Sequence, residues 1–177
     1  ASGSEVVASE GPAVTVLDAR GEGRCFIDGG VTTVRGFSLV NARASGYYGG
    51  GAYGGRLIGC VISNCMASAG AVLENCVLVS NRAEAQGGGA YNCLVDRCTV
   101  VGNRAEATRS ASSEFAGGGV DYLCDCTNSV IWGNVNAAGE VDNWEAYAVR
   151  TRSGTSVSVP QSMEHCCTEP WISIGSG

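Results

Sequence analysis

Ten cysteines and a single histidine are the residues of this chain most able to do chemistry, and His165 stands directly before Cys166 and Cys167. A histidine beside a thiol can make a nucleophile. Adjacent residues on an extended chain point to opposite sides, however, and no orienting Asn or Asp is evident. A packing role or a terminal structural disulfide is the simpler expectation. Zinc would need two close pairs at ligand spacing, and neither Cys93/Cys98 nor Cys124/Cys126 forms a CxxC. Asp96, Asp121 and Asp125, with Arg97 and Arg104 nearby, are the charged residues that could share neighbouring turns and do acid–base work. The plainer reading makes them solvated turn residues of an acidic protein. Tyr47, Tyr48, Tyr53, Tyr91 and Tyr122, with Trp132 and Trp144, could offer a platform on which sugars stack, or could be part of a wall. No residue is singled out as catalytic, cofactor-binding or metal-ligating, and no cofactor is expected.

The elements that carry these residues must be read from an unusual composition. The chain has 177 residues, with 27 glycines, 3 prolines, 45% hydrophobic residues and a formal net charge of −6. All eleven basic residues are arginine. That length suits one domain with a substantial core. Glycine without a G-X-Y period excludes collagen, and the hydrophobic content argues against disorder. A nucleic-acid partner needs a concentrated basic face, whereas these arginines are scattered singly. No apolar run approaches the ~20 residues of a spanning helix, so no membrane span is expected. The first ten residues do not read as a secretory leader, which suggests either that one was removed or that the chain is a piece of something longer.

Repetition organises the chain. Short apolar runs begin at residues 37, 60, 76, 98 and 129 and end at Asn41, Asn64, Asn81, Asn103 and Asn134. The spacing is near 22 residues, with one short and one long interval, and the last three copies carry one extra residue before the asparagine. Between them lie glycine-rich strands: GGGAY at 49–53, a degenerate AGAV at 69–72, GGGAY at 87–91 and GGGVDY at 117–122. Length varies only in turns, the long interval being the polar insertion 108–115, as a solenoid tolerates. The runs are too short and too glycine-broken for helical repeats, and a leucine-rich frame is absent. Upstream, VTVLD at 14–18 and RCFI at 24–27 also read as strands.

The expected fold class is therefore all-β, a right-handed parallel β-helix (β-solenoid) of roughly six to seven coils, with coils over 1–134 and an irregular segment 135–177 that adds a final coil, the alternating run 155–160 being the candidate. In that geometry Phe37, Cys60, Cys76, Cys98 and Ser129 form one inward row. Leu39, Ile62, Leu78, Val100 and Ile131 form the next, and the five asparagines form a hydrogen-bonded ladder. Cys60, Cys76 and Cys98 are expected as mostly buried thiols. A disulfide is expected, if anywhere, among Cys93, Cys124, Cys126, Cys166 and Cys167.

The GGGAY and GGGVDY segments, with Leu78-x-x-Asn81, Val100-x-x-Asn103 and Ile131-x-x-Asn134, resemble secreted bacterial right-handed parallel β-helix proteins. They are similar in style to the GGAI and FxxN repeats of chlamydial polymorphic outer membrane proteins. Residues 11–134 carry the resemblance, which implies an extracellular or cell-surface location and specifies fold far more than function. Polysaccharide lyases share the fold class, and resemblance to them would imply clustered carboxylates for calcium and a basic residue to take a proton. The first expectation is a non-enzymatic structural or surface-attachment protein that self-associates end to end as a homo-oligomer, up to a filament. The alternative is a carbohydrate-binding or lyase-like domain acting on an extracellular glycan.

Overall fold

The computed structural model describes residues 3–29, 32–44, 49–66, 68–84, 87–106, 117–121, 124–144, 147–150, 156–159 and 163–168. Each repeated run, short and rich in β-branched residues, forms a strand of two to four residues. Every regular element among the described residues is a strand.

The strands stack into three main parallel sheets. The first has seven strands, in order Glu5–Val7, Thr33–Arg35, Arg56–Ile58, Val72–Glu74, Leu94–Asp96, Asp125–Thr127 and Met163–Glu164. The second, also of seven, runs Val16–Asp18, Ser38–Val40, Val61–Ser63, Val77–Val79, Thr99–Val101, Val130–Trp132 and Cys167–Thr168. The third has five: Phe26–Ile27, Ala52–Tyr53, Ser68–Ala69, Ala90–Tyr91 and Val120–Asp121. The chain visits the three in turn, then begins the next layer, as in a β-solenoid. A strand shows alternate residues to opposite faces, so the middle residue of each three-residue strand turns inward. Leu57, Leu73 and Val95 superimpose in the first sheet, and Leu39, Ile62, Leu78, Val100 and Ile131 in the second, all buried. The second of these is the row expected from the repeats.

The corners follow one rule. Between the first and second sheets stands a left-handed residue, Gly36, Gly59, Asn75, Arg97, Asn128 or His165 (φ 50° to 71°). Phe37, Cys60, Cys76, Cys98, Ser129 and Cys166 follow it, register by register. After the second sheet come Asn41, Asn64, Ser80, Gly102 and Gly133, again left-handed, and then Ala42, Cys65, Asn81, Asn103 and Asn134. Asn and Gly recur at the first position because they tolerate positive φ. Small or compact polar residues recur at the second, where the chain bends around its interior.

This rule corrects the single asparagine row expected from sequence. Two ladders exist. Asn41 and Asn64 sit at the outer, left-handed position, where Asn64 Nδ2 donates to Asn41 Oδ1 and Asn41 Nδ2 donates to Asp18 Oδ1 at 2.9 Å. Asn81, Asn103 and Asn134 sit one residue later, inside. The extra residue of the last three repeats causes the shift, and Cys65 takes the inner position in its coil.

Near the carboxyl end, the alternating run expected to add a coil behaves otherwise. Ser156–Val159 pairs antiparallel with Tyr147–Arg150. Cys126 and Thr127 pair instead with Met163 and Glu164, and Val130 and Ile131 with Cys167 and Thr168. The insertion 108–115 lies outside the described residues.

Candidate functional site

The three candidate carboxylates are not brought together. Asp96 lies on the outer surface of the first sheet, where Thr127 Oγ1 and Asn128 Nδ2 donate to its Oδ1 at 2.8 and 3.1 Å and Arg97 pairs with its Oδ2 at 2.7 Å. Those bonds, first from Asn128 and then from Thr127, hold its carboxyl below the usual carboxylate range. Asp125 pairs in register with Leu94 and is exposed. Asp121 is buried on the third sheet and accepts the Gly117 N–H at 3.2 Å. Arg104 turns to Glu106 and to the Ala137 carbonyl. No group of three metal-capable side chains occurs among the described residues.

The aromatic residues are divided as well. Tyr53 and Tyr91 flank Ala69 in the outward row of the third sheet. Ala69 is only 2% exposed, so its neighbours close over it and leave no open slot between the rings. Arg24 lies 5.4 Å from the Tyr53 ring centroid, a cation–π contact. Trp132 is on the second sheet and Trp144 beside Val120 on the third. Tyr47, Tyr48 and Tyr122 lie outside the described residues.

All ten cysteines are free thiols, which corrects the expected disulfide. Cys124 and Cys126 are buried, and burial pushes both thiols up, with the neighbouring Cys93 and Cys166 adding to it. Cys93 and Cys124 do stack, but the Cys93 N–H uses the Cys124 sulfur as an acceptor at 3.4 Å. Side chains in register on adjacent parallel strands stay about 4.8 Å apart, beyond the usual Cβ separation of a disulfide. Cys166 and Cys167 lie in successive registers and face inward and outward, as an extended chain requires. His165 occupies the left-handed corner before them (φ 55°). Cys60, Cys76 and Cys98 are buried thiols, as expected.

What the stack does assemble is a polar ladder along the second corner. Asn103 Oδ1 accepts from the Asn81 backbone N–H (2.9 Å) and Nδ2 (3.0 Å), while Asn103 Nδ2 donates to Leu78 O (3.0 Å) and Asn134 Oδ1 (2.8 Å). Asn134 repeats the pattern one layer on. Its backbone N–H and Nδ2 both donate to Asn143 Oδ1 at 2.9 Å. Asn143 is not the next asparagine of the row. It sits in the register of Gly89 and Gly119, the residues just before the third-sheet strands.

A side chain in that register points at the second corner of the following coil. A Cβ at Gly89 would lie 3.1 Å from Asn103 Nδ2 and 2.7 Å from Val100 Cγ1, and one at Gly119 would lie 2.8 Å from Asn134 Nδ2. At Gly89 and Gly119 glycine leaves room for the asparagine of the following corner. Asn143 accepts from the Asn134 N–H and Nδ2 and closes the ladder among the described residues. Sequence reading missed Asn143; its signal was the loss of glycine at a glycine register.

The outer surfaces differ from sheet to sheet. Ion pairs Arg35–Glu5 and Arg56–Glu74, each at 2.5 Å, cross the first sheet. The second presents Val16, Ser38, Val61, Val77, Thr99 and Val130 in one row and Asp18, Val40, Ser63, Val79, Val101 and Trp132 in the other. At the first coil the apolar interior is open. Leu17 and Leu39 share a register, yet Leu17 is 37% exposed and Leu39 0%.

Fold and site together define an all-β stack of parallel strands consistent with a β-solenoid, held by side-chain ladders. Compared with known protein families, curated proteins and solved structures, the chain matches none of them.

Proposed function

We propose that the chain is a right-handed parallel β-helix of six to seven coils that acts outside the cell as a structural or surface-attachment element and associates end to end with a second copy through its first coil. The observation that carries this reading is the open first layer. Among the described residues Glu5–Val7, Val16–Asp18 and Phe26–Ile27 each pair with a neighbour on one side only, and the inward Val6 and Leu17 are 50% and 37% exposed. An unpaired strand edge beside uncovered apolar side chains is a template for another strand. A parallel stack offers it a head-to-tail partner, and such heterologous contacts propagate. The second copy would bury the Leu17 position as Leu39 is buried.

Sedimentation velocity over a wide concentration range tests this. The mass should rise with concentration, and Leu17→Glu, at a position already half open, should abolish the rise while leaving the circular dichroism spectrum intact. A wild-type mass that stays monomeric at millimolar concentration overturns end-to-end association. A longer chain whose preceding coils cover Leu17 would do the same.

A further inference from the structure

The outer surfaces of the first and second sheets differ in charge, coil by coil. Every strand of the first sheet carries one charged outward side chain, from Glu5 on the first strand to Glu164 on the last. On the second sheet only Val16–Asp18 carries one. Asp18 Oδ1 accepts the Arg20 N–H at 2.8 Å and Asn41 Nδ2 at 2.9 Å, which holds that carboxylate against the second corner. From Ser38–Val40 to Val130–Trp132, the two outward rows contain only Val, Ser, Thr and Trp132. Val77, Val130 and Trp132 are exposed there.

Parallel strands stacked in register, rich in β-branched residues and free of charge and proline, are the kind that pair sheet against sheet through dry, interdigitated side chains. The second sheet has each of these properties over five successive strands. The surface that fits it is another like it, about 10 Å away. A second copy of this chain supplies that surface. Because the chain has a net charge of −6, copies repel one another in general, and the charge-free face is where they approach at least cost.

Area decides when this happens. The five-strand strip measures roughly 24 Å by 10 Å, so two single chains would bury about 500 Å² between them. Stable interfaces begin at about 1,200 Å². Three chains stacked end to end triple the strip and reach that range. We infer that copies joined end to end pair side by side through their second sheets, face against face, and that single chains do not. The inference rests on the end-to-end association proposed above and adds a second, lateral contact made by a different surface. The first sheet stays outside, because its charged row would have to be desolvated in such a contact.

Negative-stain electron microscopy of the concentrated protein, beside sedimentation velocity, tests it. The wild type should form stacks that lie in pairs. Val77→Glu, at an outward and exposed position of the middle strand, should leave single stacks, with the circular dichroism spectrum and the rise of mass with concentration retained. Val130→Lys, two coils on, should do the same. Leu94→Glu, outward and exposed on the first sheet, should keep the pairs. Wild-type stacks that stay single at every concentration overturn the lateral contact and leave end-to-end association standing. Pairs that persist in both second-sheet variants, or that Leu94→Glu also abolishes, overturn the assignment to this face. A wild type that forms no stacks removes the end-to-end reading and the pairing with it.

Discussion

At the second corner the coils are joined by asparagine amides and at the first by thiols, and the two rows differ in how many neighbours each side chain satisfies. Asn103 makes four hydrogen bonds, two as acceptor and two as donor, to the coils on either side. Cys98 accepts the Cys76 N–H at 3.4 Å and has one proton to share between Asp96 O (3.2 Å) and Leu73 O (3.4 Å). Sulfur makes the weaker bonds. The amide row thus carries directional information from coil to coil, whereas the thiol row chiefly fills space and blunts the cost of buried backbone groups.

The sharpest way to break this comparison is Asn103→Leu, which keeps the volume and removes every bond. It strands the Asn81 N–H and one Nδ2 hydrogen of Asn81 in a dry interior, while Asn134 Oδ1 keeps the Asn103 backbone N–H. Unsatisfied buried groups cost about 1–3 kcal/mol each, so urea unfolding should show a loss on the order of 3–5 kcal/mol. A loss below about 1 kcal/mol, the size of a single net hydrogen bond, would reduce the ladder to packing.

Next in size is Asn143→Ala. Only the closing group is lost, and the Asn134 N–H and Nδ2 lose their acceptor. We expect a loss of about 1–3 kcal/mol and faster hydrogen exchange at the Asn134 amide than at the Asn103 amide, which keeps its acceptor. Equal acceleration at both would mean that the ladder frays as a unit.

The thiol row should respond less. Cys98→Ala is expected to cost about 1–2 kcal/mol through the small cavity and the lost acceptor. Cys98→Ser should cost less than about 1 kcal/mol, since a hydroxyl serves as well in this row. Ser129 already plays that part, accepting the Cys98 N–H at 3.0 Å. Urea midpoints rank the pair, and a serine variant less stable than the alanine variant would contradict the reading.

The rows were legible in the sequence because each stacking register repeats its chemistry: Leu39, Ile62, Leu78, Val100 and Ile131 recur at one spacing and occupy one buried row. The corner rule was half legible. Gly36, Gly59, Asn75 and Arg97 have little in common as letters, and only their shared positive φ unites them. Asn143 stayed hidden, because it answers to Asn134 across the corner rather than to its own register. A period aligns residues of equal register. It is blind to a side chain that crosses from one register to the next.

The smallest effect separates the outer ladder contacts from the inner ones by pH. Asp96 is half-buried on the outer face of the first sheet and bonded by Asn128, Thr127 and Arg97, so its pKa is lowered from the ordinary 3.8. A group whose folded pKa is depressed contributes stability above its unfolded pKa and loses it as pH falls through the folded one. The contribution of Asp96 should therefore be full at neutral pH and fade only in strong acid. Carboxyl chemical shifts should place its midpoint below the usual aspartate range, with Asp96→Asn removing that acid component. The Asn103 ladder contains no ionisable group, so its contribution should not change over the same range. An Asp96 midpoint at or above the ordinary value would show that the contacts from Thr127 and Asn128 do not hold the carboxylate in solution.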